Sequence, residues 1–164
     1  MRARHRLLVA APFLAVVVFS GCFNNPPINP AELNFTWRQP NRADLVGTWV
    51  PTSATLEDMR DRGGYPISKH ELVLLDDGSF SMLNMPDWWS DGFGRSRKGF
   101  ESGSGTWSIS QQGSWCVYLV FKSPITRSGY GVSLNLRRQK PPYLIHIFLG
   151  DPDEWQAILF ERLR

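Results

Sequence analysis

Residues 44–164 predict an all-β fold, an eight-stranded antiparallel barrel of up-and-down order with one short helix after its first strand. Three observations carry this. Short runs alternate apolar and polar residues, the period of a half-buried strand. Turn residues separate the runs at short intervals, twice as tight hairpin signals. A helical signal occurs once. Sequential antiparallel strands pair with their neighbours, and a meander of eight removes its edges by closing on itself. An open β-sandwich of two sheets satisfies the same periodicity and is the alternative.

The first strand is Leu45-Val46-Gly47-Thr48-Trp49-Val50. The helix follows, with Thr55 as its cap, Asp58 three residues later at capping-box spacing, and Leu56 and Met59 as its apolar face. Gly63-Gly64 ends it, and Glu57, Asp58, Arg60 and Arg62 are ordered as the helix dipole favours. Glu71–Leu75 and Ser79–Met85 flank Asp76-Asp77-Gly78, a hairpin turn in which glycine supplies a positive φ. Gly105–Ser110 and Ser114–Lys122 flank Gln111-Gln112-Gly113 in the same way, with Trp115, Val117, Leu119 and Phe121 on one face. Val132, Leu134 and Leu136 alternate with polar neighbours. Pro141-Pro142 separates that strand from Tyr143–Leu149, and Gly150-Asp151-Pro152-Asp153 turns the chain into the last strand, Trp155–Arg162.

Ahead of the barrel, Arg2, Arg4 and Arg6 precede the uncharged run Leu7–Phe19, then the small residues Ser20-Gly21, then Cys22. The run is shorter than the ~20 residues a membrane span needs and suits a cleavable export signal. The segment resembles a bacterial lipoprotein signal peptide, which implies cleavage after residue 21 and a lipid on Cys22. The resemblance thus implies a membrane partner, and a location at the cell membrane or outer membrane with the domain outside the cytoplasm. Residues 22–43 carry Pro26, Pro27, Pro30 and Pro40 and read as a proline-rich tether. At ~3.1 Å per residue it reaches up to roughly 60 Å. Phe35 and Trp37 are the tether residues expected to dock on the domain.

The chain has 18 Lys and Arg against 15 Asp and Glu. Loss of the three signal arginines leaves equal numbers of each sign, so the clustered excess that nucleic-acid binding requires is not there. With Cys22 acylated, Cys116 is the one remaining thiol and no internal disulfide forms; a Cys22–Cys116 bridge is the competing arrangement. Two distant cysteines without a second pair argue against structural zinc.

Gly47-Thr48-Trp49 on the first strand, with Arg162 on the last, is similar to the lipocalin and calycin pattern. That resemblance implies barrel closure by Gly47, Trp49 and Arg162, the indole plugging one end and the guanidinium packing across its ring. By alternation, Arg164 is the substitute for Arg162. Asp77-Gly78-Ser79-Phe80, Pro86-Asp87-Trp88-Trp89 and Gly103-Ser104-Gly105-Thr106-Trp107 resemble segments of uncharacterised bacterial lipoproteins with a lipocalin-like domain, a family that brings no reaction.

The connection 86–104 is long for a compact domain. Its aromatic and basic residues Trp88, Trp89, Phe93, Arg95, Arg97 and Phe100, with Lys98, are the candidate ligand- or partner-binding set. The competing reading has both tryptophans filling a barrel end under a solvated basic tip. His146 shares a face with Leu144 and Phe148 and is expected half-buried and hydrogen-bonded, and His70 exposed at a strand start. Cys116, opposite the Trp115 face, is expected to be a buried, inert thiol. Asp87 with Asp91, and Asp151 with Asp153 and Glu154, read as turn carboxylates that bond their own backbone. No nucleophile elbow occurs. These features predict a non-enzymatic, cofactor-free module binding a small apolar or aromatic ligand in the barrel mouth. The alternative is a filled barrel that docks another envelope protein, as an inhibitor or immunity factor would. A hydrolase is the least favoured reading.

Overall fold

A computed structural model describes residues 34–60, 69–86, 99–123, 131–148 and 157–163. Among them are two short helices and eight strands: α1 (Arg42–Leu45), β1 (Gly47–Pro51), α2 (Ser53–Asp58), β2 (Glu71–Leu74), β3 (Ser79–Pro86), β4 (Phe100–Gln112), β5 (Ser114–Phe121), β6 (Gly131–Arg137), β7 (Leu144–Phe148) and β8 (Ala157–Arg162). Each strand pairs antiparallel with the next, and β8 closes on β1, with Trp49 opposite Arg162 and Pro51 opposite Phe160. The fold is the closed up-and-down barrel, not the open sandwich.

Alternation sets the inside. Leu72 and Leu74, Phe80 and Met82, Val117, Leu119 and Phe121, Leu134 and Leu136, Ile145 and Ile147, and Ile158 and Phe160 are all buried in one continuous cluster with Trp49 and Trp107. Burying one such side chain stabilises the fold by ~1.5–3 kcal/mol. Phe80 meets Phe121 edge to face at 4.9 Å between centroids, the arrangement aromatic quadrupoles prefer. Gly105 makes room for this layer. A Cβ there would lie 1.9 Å from the Val120 carbonyl oxygen and 2.8 Å from Phe80 Cε1.

Several boundaries differ from the sequence reading. β4 begins at Phe100, so most of the C-terminal part of the 86–104 connection is strand, with Phe100 opposite Pro86 and Gly103 opposite Met82. β3 takes a register shift between Met82 and Met85, where Asn84 adopts φ +52. Asparagine tolerates that left-handed geometry better than most residues, and its side-chain amide donates to the Lys69 carbonyl at 2.9 Å. The cap of α2 is Thr52, whose hydroxyl oxygen accepts from Thr55 N–H at 3.3 Å. Thr55 is instead buried, its Oγ1 accepting from Leu159 N–H of β8 at 3.1 Å. Met59 is buried as expected, but Leu56 is 37% exposed; the buried face is made by Thr55 and Met59, four residues apart.

Residues 34–37, the end of the segment expected to be a tether, are joined to the barrel. Thr36 N–H donates to the Leu136 carbonyl, Trp115 N–H to the Thr36 carbonyl and Arg138 N–H to the Asn34 carbonyl, at 2.7–2.9 Å. Phe35 bridges to Arg137 as a one-residue extra strand beyond the β5–β6 pairing. Phe35 docks as expected, whereas Trp37 is 53% exposed.

Candidate functional site

Cys22, Trp88, Trp89, Phe93, Arg95 and Arg97 lie outside the described residues, as do Lys98, Asp87, Asp91, Asp151, Asp153, Glu154, Gly63 and Gly64. Phe100 is half-buried in β4, its ring 5.2 Å from that of His70. His70 is not exposed: it is buried, with Nδ1 in hydrogen-bond contact with the Asn84 carbonyl. The register shift in β3 brings that carbonyl to the histidine, which no local pattern around residue 70 announces.

Gly47, Trp49 and Arg162 do meet at one barrel end, beneath α1. Trp49 is fully buried and its Nε1–H donates to the Leu45 carbonyl at 2.8 Å, one of the carbonyls a helix end leaves open. The stem of Arg162 lies against Gly47, where a Cβ would be 3.2 Å from its Cδ and where φ is +139. Its guanidinium donates to the carbonyls of Ala43 and Asp44 at 3.1 and 3.0 Å. The cation seated on an indole in this region is Arg42, 4.2 Å above Trp107, whose own Nε1–H donates to the Leu75 carbonyl at 2.8 Å. Arg42 also donates to the Asp76 carbonyl. Two arginines and two tryptophans therefore fasten a one-turn helix across the end of the barrel, an element too short to show any helical period.

Beside this end lies a hollow of about 320 Å³ lined by Asp44, Trp49, Pro141, Pro142, Tyr143 and Arg162. Burial and then the Asp44 charge raise the Tyr143 pKa above the usual phenol value, so its hydroxyl stays protonated and able to donate.

On the outer face, Cys116, Asn135, His146 and Leu159 occupy consecutive register positions across β5 to β8. The Cys116 thiol is buried and donates to the Ser110 carbonyl at 3.4 Å. Burial pushes its pKa up, against the thiolate form that reactivity needs, as the sequence leads one to expect. His146 departs from expectation. It is 3% exposed, roofed by Phe35 at 5.5 Å and flanked by Phe148 at 4.4 Å between ring centroids. Its Nδ1 has no hydrogen-bond partner among the described residues. Burial first and the Arg137 charge second lower its pKa from 6.5 to about 4, so the ring is neutral at pH 7.

Where residues 34–38 join the barrel, an open cleft of about 690 Å³ is lined by Asn34, Arg38, Arg138, Gln139, Lys140 and the Pro141-Pro142 pair, whose peptide bond is cis. The sequence reading did not single it out, although Arg137-Arg138-Gln139-Lys140 is visible as a basic run. Among the described residues, no group of three His, Cys, Asp or Glu side chains is placed to hold a metal ion, and no helix is long and apolar enough to cross a membrane. No family model, curated protein or solved structure matches the chain.

Proposed function

We propose that this protein is a lipid-anchored, non-enzymatic module of the cell envelope, with a filled barrel that serves as a rigid scaffold for contact with another envelope protein. One observation carries the choice between the two binding readings. The inward residues of all eight strands include Trp49, Trp107, Phe80, Phe121 and Phe160, and they are buried against one another. An eight-stranded barrel has room for such side chains or for one small ligand, and large aromatics at this density favour side chains. The lid supports the same reading, since α1 is fastened by Trp49 and Arg162 through backbone hydrogen bonds rather than left free to open.

In this reading Cys22 carries the lipid and the 87–98 connection, with Trp88, Trp89, Phe93, Arg95 and Arg97, supplies the partner contact. Aromatic and arginine side chains are the residue types that dominate such contacts. The hollow of about 320 Å³ beside Tyr143 favours a second reading, a small ligand held at the lidded end, because its size is within the range of ligand sites.

Photo-crosslinking in intact cells, with a crosslinker at position 93, tests the first reading. The expected result is a discrete adduct with one envelope protein that is lost in Trp88→Ala/Trp89→Ala. Native mass spectrometry gives the opposing result. A stoichiometric small molecule on the protein, displaced by Tyr143→Trp in the hollow, would overturn the protein-contact reading in favour of the second.

A further inference from the structure

The geometry points to the cleft at the tether junction as the membrane-facing surface of the barrel, with Arg38, Arg138 and Lys140 taking anionic phospholipid headgroups and Trp37 entering the interface beside them. This rests on the lipid-anchor reading for its orientation, and on two independent features of the described residues for its chemistry.

The first feature is charge. Arg38, Arg138 and Lys140 line one open cleft together with Asn34 and Gln139, and no carboxylate is among its lining residues that the structure describes. None of the three cations forms an ion pair among the described residues; Arg138 Nη1 donates to the Pro142 carbonyl at 2.9 Å, which leaves its charge uncompensated. Half-buried Arg137 stands next to them, and the Arg138 charge lowers its pKa after burial does. Like charges are thus concentrated here in a mature chain whose signs balance overall. Asp44 lies across Pro141-Pro142, in the neighbouring hollow. Guanidinium groups suit phosphate oxygens because their paired N–H donors match them two at a time.

The second feature is an exposed indole. Trp37 follows directly on Thr36, which is fully buried and bonded at both backbone groups. Its own N–H donates to Gln139 Oε1 at 3.2 Å, so its backbone is held at the cleft rim while the side chain is 53% exposed. A large amphipathic ring left in water next to cations is the pairing that sits at headgroup level in membrane proteins. Gln139 Nε2 also donates to the Phe35 carbonyl, so the Gln139 amide is bound to the 35–37 segment through both its nitrogen and its oxygen.

Position supplies the occupant. Asn34, a lining residue, follows Cys22 by twelve positions. A chain spans at most ~3.6 Å per residue, so the acylated sulfur stands within roughly 40 Å of the cleft in any conformation. Anchoring therefore presents this face to the headgroup layer at high effective concentration. Each basic residue near an anionic surface shifts the docked population by roughly five-fold, and three together by roughly a hundred-fold.

The test uses the full-length protein recovered from membranes with its native N-terminus, placed in bilayers of phosphatidylcholine alone or mixed equally with phosphatidylglycerol. Quenching of tryptophan fluorescence by lipids brominated near the headgroup reads docking. The expected result is extra quenching in the anionic bilayer that high salt removes and Trp37→Phe abolishes. Arg38→Gln/Lys140→Gln, which leaves the backbone at Arg138 untouched, should lower the docked-to-free ratio by roughly twenty-five-fold, with the unfolding midpoint unchanged. Equal quenching in the two bilayers, or an increment that survives these substitutions, would overturn the proposal, the second outcome placing the membrane contact elsewhere on the protein. Intact mass of the same preparation reports acylation of Cys22 separately. An unacylated chain sinks the anchor reading, and its lipid-dependent quenching still decides the cleft.

Discussion

Acidification should loosen residues 34–36, which hold Phe35 over His146. His146 is 3% exposed, its Nδ1 has no hydrogen-bond partner among the described residues, and a charged group facing it is Arg137 of β6. Burial and that charge both disfavour the imidazolium, lowering the pKa from 6.5 to about 4. The unfolded chain keeps the ordinary value, so between those limits it binds a proton that the folded chain refuses. Stability therefore rises with pH through this window and is lost as pH falls from about 6.5 to about 4. At ~1.4 kcal/mol per pH unit the loss comes to roughly 3 kcal/mol, complete near pH 4 because both states are protonated below it. Urea unfolding of the wild type and His146→Gln at pH 7 and pH 4 isolates this contribution from that of the carboxylates, which both proteins share. The wild type should lose roughly 3 kcal/mol more than the variant over that interval. Parallel stability lines would refute the reasoning. So would an NMR titration in which Phe35→Ala, which removes the roof, fails to move the His146 pKa back toward 6.5.

Further outcomes follow from single contacts. Gly105→Ala should destabilise by ~3 kcal/mol or more, above the ordinary cost of overpacking, because its Cβ meets backbone at 1.9 Å; urea unfolding measures it. Trp49→Phe keeps the plug but leaves the Leu45 carbonyl without its indole donor, a loss of ~1–2 kcal/mol in the same assay. Thr52→Ala should cost ~1 kcal/mol by removing the α2 cap, while Ser53→Ala, exposed and outside the cap, should cost almost nothing. With Cys22 acylated, a thiol reagent should label nothing quickly in the folded protein and one thiol, Cys116, in urea; a second thiol in urea would mean an unacylated Cys22.

The barrel was legible where neighbours along the chain carry the information. Val117, Leu119 and Phe121 alternate with Cys116, Tyr118 and Val120, and Leu134 and Leu136 with Asn135, so period two states which face is buried before any partner is known. Asp77-Gly78 likewise states its turn, with Gly78 at φ +87 and Asp77 Oδ1 accepting from Ser79 N–H at 2.8 Å. Legibility failed where a distant partner decides. Glu101 to Ser104 has low strand propensity, yet β3 on one side draws it into β4. α1 is one turn long and is held by Arg162, more than a hundred residues later. Of the candidate site, the meeting of Gly47, Trp49 and Arg162 was expected only through the resemblance of those residues to a known pattern, and the cleft was not expected at all, because Arg38 and Lys140 share no local pattern.

The chain alone determined the existence and order of its strands, its hairpins and the inward set of most strands, since these follow from alternation and from glycine at the turns. Only the closed structure decided that His70, His146 and Cys116 are buried, that the lid belongs to Trp49, Arg42 and Arg162, and that Asn34 and Arg38 meet Arg138 and Lys140 in a basic cleft. Those properties arise from backbone carbonyls, covering rings and charges brought together by barrel closure, and a linear period carries no record of what lies across a sheet.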